Sequence, residues 1–134
     1  MIVKYKNSLK GKIYKKSIRK SLVNDHHRPL PQVEKTNGES IMREKAIERK
    51  LTLMVKKQGG ICLKFVSPGF DGVPDRIVLL PGGCMAFVEV KAPGKKPRAL
   101  QVSRHTLLRK LGFRVYVLDN EEQIGGILDE IRTA

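Results

Sequence analysis

Hydrophobic residues recur at intervals of three and four in three stretches of the chain, and this spacing predicts three amphipathic helices. The stretches cover about residues 39–57, 97–111 and 120–133, and a glycine follows each of the first two. Glycine is common just beyond the last turn of a helix, which supports both ends. The positions expected to face the core are Ile47, Leu51, Met54 and Val55 in the first helix, Leu100, Leu107, Leu108 and Leu111 in the second, and Ile124, Ile127, Leu128 and Ile131 in the third.

Four shorter apolar runs predict strands over residues 61–66, 76–80, 85–90 and 113–118. A Pro-Gly-Gly turn joins the second run to the third, so these two runs form a β-hairpin. The element order is therefore α-β-β-β-α-β-α. It predicts an α/β fold in which helices flank a mixed four-stranded sheet.

Charged side chains gather at one end of the predicted hairpin. Asp75 precedes its first strand, while Glu89 and Lys91 lie near the end of the second strand and point to the same face. A carboxylate is rarely buried without a partner, and two carboxylates side by side repel each other. A cross-strand salt bridge to Lys91 would resolve the conflict, and so would a divalent cation held by oxygen ligands.

These residues resemble the signature of a known nuclease family. Pro74-Asp75, thirteen intervening residues, Glu89-Val90-Lys91, and Gln101 ten residues later resemble the VRR-NUC branch of the PD-(D/E)xK nucleases. The resemblance covers roughly residues 39–131. It implies a restriction-endonuclease-like core and Mg²⁺- or Mn²⁺-dependent hydrolysis of phosphodiester bonds. Gln101 is implied to position the attacking water, Lys91 or a phosphate.

The first helix carries two candidate acids, Glu44 and Glu48, on or beside its apolar face. Either could simply lie at the edge of that face and pair with a neighbouring base. Related junction-resolving nucleases carry a Glu-Arg pair on a helix that ends at a glycine, and Glu48-Arg49 followed by Gly59 has that spacing. On this resemblance Glu48 is the expected helix acid, with Glu44 as the alternative. The implied metal ligands are then Glu48, Asp75, Glu89 and the Val90 carbonyl, and Lys91 would orient or deprotonate water or stabilise charge.

The chain is strongly basic, with 27 Lys and Arg against 13 Asp and Glu and a net charge of +14. Residues 1–38 carry a net +8 and are predicted to form a flexible basic arm and linker, while residues 39–134 form the nuclease domain. Such a charge indicates a polyanionic partner, most simply DNA held by its phosphates. Five cations near the site are expected to contact DNA, namely Lys64, Lys95, Lys96, Arg98 and Arg104. His105 is expected at the surface, and Cys62 and Cys84 are expected to be small apolar core residues.

The resemblance, together with the positive charge, implies a metal-dependent, structure-selective DNA endonuclease that acts as a homodimer on branched DNA such as four-way junctions. A two-fold symmetric dimer offers the two active sites that such a junction requires. The chain shows no membrane-spanning run or signal peptide, so the expected location is the cytoplasm of a bacterial or phage-infected cell. The alternatives are a non-catalytic nucleic-acid-binding protein with a degenerate nuclease core, and an RNA-binding accessory protein suggested by charge alone.

Overall fold

The computed structural model describes residues 37–133. The predicted basic arm therefore lies outside the described residues, apart from its last two positions, which belong to the first helix. The elements in chain order are α1 (Asn37–Lys57), β1 (Ile61–Lys64), β2 (Arg76–Leu80), β3 (Cys84–Val90), α2 (Ala99–Lys110), β4 (Val115–Leu118) and α3 (Gln123–Arg132). This order confirms the predicted α/β fold. No helix within residues 37–133 is both long and apolar enough to cross a membrane.

The four strands form one mixed sheet in the order β1-β2-β3-β4. β1, β2 and β3 pair antiparallel, and β2 and β3 form the predicted hairpin around Gly82 and Gly83, both of which have positive φ. β4 runs parallel to β3. A parallel pair needs a long crossover, and α2 supplies it. The sheet is thus a meander to which one crossover unit adds a final strand.

The hydrophobic core lies between one face of the sheet and the helices α1 and α3. α1 contributes Ile47, Leu51 and Val55, and each is at most 3% exposed. Burying one such side chain stabilises the fold by about 1.5–3 kcal/mol. The remaining buried members of this cluster come from the strands and from α3, namely Val78, Leu80, Ala86, Val88, Val90, Leu118, Ile124, Leu128 and Ile131. The helical spacing of the first and last predicted stripes therefore identified the correct faces.

The opposite face of the sheet is only partly covered. α2 lies over its β3–β4 half. There the Phe87 ring packs at a tilt against Phe65 and edge-to-face against Phe113, at centroid distances of 5.6 and 5.8 Å. Over β1 and β2 the apolar side chains stay open to solvent, with Ile61 57% and Leu63 44% exposed. The two faces of the sheet therefore differ in how far helices cover them. On the half-covered face, α2 lies beside the end of the hairpin that carries the charged residues.

The predicted buried stripe of α2 is wrong. Leu107 and Leu111 are 41% and 64% exposed, and the two buried residues of the helix are Gln101 and His105. The helix turns this polar pair toward the sheet because a buried carboxylate there needs hydrogen-bond partners. Apolar spacing alone could not show which face of α2 the sheet would take. Several predicted ends also shift by one to three residues, since β1 stops at Lys64 and α2 begins at Ala99.

Candidate active site

Asp75 and Glu89 lie on the two neighbouring arms of the β2–β3 hairpin, at one end of it. Asp75 immediately precedes β2, and its Oδ2 accepts a hydrogen bond from the backbone N–H of Val90 at 3.0 Å. This bond ties the start of β2 to the end of β3 and fixes the Asp75 carboxylate beside Glu89. The predicted convergence of the two acids is therefore present in the structure.

Glu89 is fully buried, and three side chains surround its carboxylate. Its Oε1 lies 2.9 Å from Lys91 Nζ and accepts a hydrogen bond from Gln101 Nε2 at 2.6 Å. Its Oε2 lies 3.4 Å from His105 Nε2. Lys91, two residues further along the same segment, and one face of α2 thus hold both carboxylate oxygens in place.

Burial raises the pKa of Glu89 to about 7, although the hydrogen bond from Lys91 opposes the shift. The nearby charge of Asp75 raises the same pKa further. Two carboxylates that share a poorly solvated site destabilise each other's charged form. Positive charge at this point would stabilise the charged form of both carboxylates, and Lys91 is one source of that charge.

Glu44 and Glu48 face different neighbours, although one helical turn separates them on α1. Glu48 forms an ion pair with Arg76, whose Nε donates to Glu48 Oε1 at 2.6 Å. Burial raises the pKa of Glu44, and the charge of Asp75 adds to that rise while Lys91 opposes it. The structure therefore associates Glu44 with the Asp75 cluster and engages Glu48 with a base on β2.

No family model matches the chain. The chain is 52% identical over 82 residues to "Putative nuclease p44" of Acyrthosiphon pisum secondary endosymbiont phage 1, which covers 61% of this chain and 88% of that protein. A solved structure described as "VRR_NUC domain" superposes with a TM-score of 0.61 and 30% sequence identity, covering 65% of this chain and 95% of that one. The chain belongs to the VRR-NUC nuclease family. Its four-stranded sheet and flanking helices are consistent with the restriction-endonuclease-like fold of such domains.

In this VRR-NUC chain Gln101 contacts the buried carboxylate directly. Its Oε1 accepts the backbone N–H of Arg98 at 2.9 Å at the start of α2, while its Nε2 donates to Glu89. The amide is therefore oriented at both ends. Contact with water or phosphate, which the resemblance implied, stays a prediction.

His105 is the residue that sequence reasoning placed wrongly. It is 2% exposed rather than at the surface, and burial lowers its pKa, with the charge of Arg109 acting in the same direction. Gln101 and His105 are four residues apart on α2 and so lie on one face. This spacing, together with the need of a buried Glu89 for hydrogen-bond donors, is the sequence signal from which the burial of His105 could have been predicted.

Four of the five predicted DNA-contacting cations are exposed, namely Lys64, Lys95, Lys96 and Arg98. Arg104 is partly buried, and its side chain makes contacts within the protein. Its Nε donates to the Asp71 carbonyl at 2.9 Å, and its guanidinium lies 3.9 Å from the centre of the Phe70 ring. Gly72, at φ +85°, lies against Leu100, so a Cβ there would crowd α2. These contacts attach the loop before Asp75 to α2.

Within residues 37–133 no three acidic, histidine or cysteine side chains converge tightly enough to form a complete metal site. The donors nevertheless suit a hard divalent cation. Asp75 and Glu89 are adjacent carboxylates, and the pKa of Glu44 is raised by the charge of Asp75 as well as by burial. Carboxylate oxygens are the ligands that Mg²⁺ accepts in proteins, usually one or two of them together with water and substrate phosphate.

Proposed function

We propose that this VRR-NUC protein is a Mg²⁺- or Mn²⁺-dependent DNA endonuclease of the PD-(D/E)xK type. The observation that carries the proposal is the buried Glu89 carboxylate beside Asp75, held by Lys91. An enzyme site commonly contains such perturbed groups because their environment is arranged for a charged substrate or ion. Asp75, Glu89 and the Val90 carbonyl would hold the cation, together with one acid from α1.

For the α1 acid, the surroundings support Glu44 more than Glu48. Glu44 interacts with the charges of Asp75 and Lys91, whereas Glu48 is paired with Arg76. If Glu48 is the ligand after all, its ion pair with Arg76 must open when the cation binds. The two assignments therefore predict different effects of the same substitution.

Each residue has a definite task in the proposed hydrolysis. A divalent cation held by these residues would supply positive charge, which would activate water and neutralise the charge that develops on the phosphate. Lys91, half-buried beside Glu89, places a second positive charge near the scissile phosphate. Gln101 keeps Glu89 in one orientation. Water adds to phosphorus as the P–O bond to the leaving strand breaks. One proton of the water passes to solvent, and the leaving oxygen takes up a proton from solvent.

We further propose that the protein acts as a homodimer on branched DNA, with four-way junctions as the preferred substrate. The open sheet face over β1 and β2 supports self-association, because monomeric proteins rarely leave contiguous large apolar patches in water. Ile61, Leu63 and Leu79 are each at least 36% exposed on that face. A two-fold dimer would present two sites for the paired nicks that resolve a junction.

A panel of labelled four-way junction, flap, duplex and single-stranded DNA, with and without Mg²⁺ or Mn²⁺, tests the proposal. Cleavage should require the cation and should be lost in Asp75→Asn, Glu89→Gln and Lys91→Ala, while the exposed control Asp129→Asn keeps it. Binding without cleavage under every condition would favour a non-catalytic DNA-binding protein. Equal cleavage of duplex and junction by a monomer would refute the branched substrate and leave the nuclease standing.

A further inference from the structure

A groove runs along the side of α1 that faces β2. Three basic side chains line it, Lys45 and Arg49 from α1 and Arg76 from β2, together with Glu48. Its volume is about 680 Å³, and Thr52 and Leu53 complete the lining. Three cations against one carboxylate leave it with a net charge of +2.

The three cations of this groove differ in whether they pair with an acidic side chain. Arg76 is half-buried and held by Glu48, so its guanidinium has a fixed position. Lys45 and Arg49 are exposed, and neither pairs with an acid anywhere in residues 37–133. Lys64 lies opposite Arg76 in the β1–β2 register and extends the positive surface toward the sheet edge.

A second groove, on the other flank of α1, shows the contrast. Its bases are already neutralised, since Arg43 lies 3.0 Å from Glu39 and Lys50 lies 2.9 Å from Glu121. Glu122 adds a further negative charge there. Of these two grooves, only the one that faces β2 therefore carries uncompensated positive charge.

The groove is linked to the end of the hairpin by α1. Pro93, two residues beyond Lys91, lines the second groove together with Ile47 of α1, and Glu48 follows Ile47 in the chain and lines the first groove. Arg76 follows Asp75 but points to the opposite face of β2, toward α1. A nucleic-acid strand that leaves Asp75 and Glu89 along α1 would therefore bring a neighbouring phosphate to the groove. Mobile lysine and arginine side chains contact such phosphates without reading sequence.

Given the proposed nuclease function, we propose that this groove binds backbone phosphates of the substrate strand on one side of the cleaved bond. Lys45 and Arg49 make the direct contacts, and Glu48 holds Arg76 in place beside them. The path of the strand thus runs along α1. The predicted basic residues of the loop after β3 would then lie on the other side of the cleaved bond.

The test compares two double variants of the full chain. Lys45→Ala/Arg49→Ala removes the groove cations, and Lys56→Ala/Lys57→Ala removes the same charge from exposed positions in the last turn of the same helix. Affinity for a four-way junction is measured without divalent metal over a range of salt concentrations. The groove variant should lower the log–log salt slope by about 0.9 for each phosphate that is no longer neutralised. The control should leave the slope near that of the wild type.

A second measurement identifies which phosphate of the DNA contacts the groove. A single uncharged methylphosphonate is placed at successive positions beside the cleaved bond, and binding is compared between wild type and Arg49→Ala. At one position the two changes should be non-additive by a factor of about two or more. Full additivity at every position, or equal slopes for the two double variants, would overturn the groove. If the wild type binds through the groove but never cleaves with metal, the nuclease assignment fails instead.

Discussion

His105 Nε2 lies 3.4 Å from Oε2 of Glu89, and the two side chains are 2% and 0% exposed. Since Gln101 and Lys91 contact the other oxygen, His105 is the residue that restrains the second side of this carboxylate. A positioning role follows, because His105 contacts a proposed ligand and is itself shielded from solvent.

His105→Ala should therefore weaken cation-dependent cleavage by about 10- to 100-fold, which is typical when a group that orients a metal ligand is removed. The apparent Mn²⁺ affinity should fall with it, whereas DNA affinity without metal should stay unchanged. His105→Gln, which retains a donor, should recover part of the loss. Thr106→Ala, at the exposed neighbouring position, is the control. Unchanged Mn²⁺ affinity in a folded His105→Ala protein would contradict the role.

Substitution of the two α1 acids separates the competing ligand assignments. Glu44→Gln should reduce cleavage by on the order of 100-fold and weaken Mn²⁺ binding, because the charges of Asp75 and Lys91 act on Glu44. Glu48→Gln should chiefly loosen Arg76 and so affect DNA affinity. Calorimetric Mn²⁺ titration of both variants measures the difference directly. The reverse pattern would restore Glu48 as the ligand, as the family spacing suggested.

The raised pKa of Glu89 predicts how stability depends on pH. The folded protein holds a proton on Glu89 up to about pH 7, whereas the unfolded chain releases it near the ordinary glutamate pKa. In the metal-free protein, the contribution of Glu89 to the free energy of unfolding should therefore be greatest below the pKa that Glu89 has in the unfolded chain. This contribution should be lost as pH rises through about 7. The decrease attributable to this group is on the order of 3 kcal/mol.

Urea unfolding of wild type and Glu89→Gln between pH 5 and 8.5 measures this contribution as the difference between the two curves. The comparison is needed because His105, whose pKa is lowered, contributes the opposite slope as pH falls through 6.5. Asp75 and Lys91 also face the same carboxylate. Added Mg²⁺ or Mn²⁺ should restore stability at high pH in the wild type only. Parallel curves for the two proteins would show that Glu89 is charged throughout.

The open sheet face predicts the site of self-association. Leu63→Lys should weaken the proposed dimer by at least about tenfold, since a charge would be buried at an apolar contact. Light scattering over a concentration series measures the change. Met42→Lys, at a residue that is 73% exposed on α1, serves as the matched control and should leave the dimer intact. Identical association of both variants with the wild type would exclude this face.

Removal of residues 1–36 should lower DNA affinity and its salt dependence while cleavage persists. The segment before α1 carries the whole net charge of +8 of the predicted arm, and none of the proposed ligands. The salt slope should fall by about 0.9 for every phosphate that the segment neutralises in the full chain. The truncation ends at residue 36 because α1 begins at Asn37. An unchanged slope would show that the segment does not bind DNA.

The sequence by itself determined the element order, the hairpin and the meeting of Asp75 with Glu89. Local periodicity and turn glycines specify such features, because strand alternation and a tight turn leave few ways to pair two adjacent segments. The family followed from the same residues. Spacing along the chain was sufficient wherever the interacting groups belong to one hairpin.

Only the tertiary structure decided which way the helices turn their polar residues. Glu44 and Glu48 are nearly equivalent on a helical wheel, and their difference arises from the separate positions of Arg76 and Asp75 in the folded sheet. α2 buries Gln101 and His105 rather than its leucines because the buried Glu89 requires donors. These outcomes depend on interactions between segments far apart in sequence, where the need to satisfy a buried charge outweighs apolar periodicity.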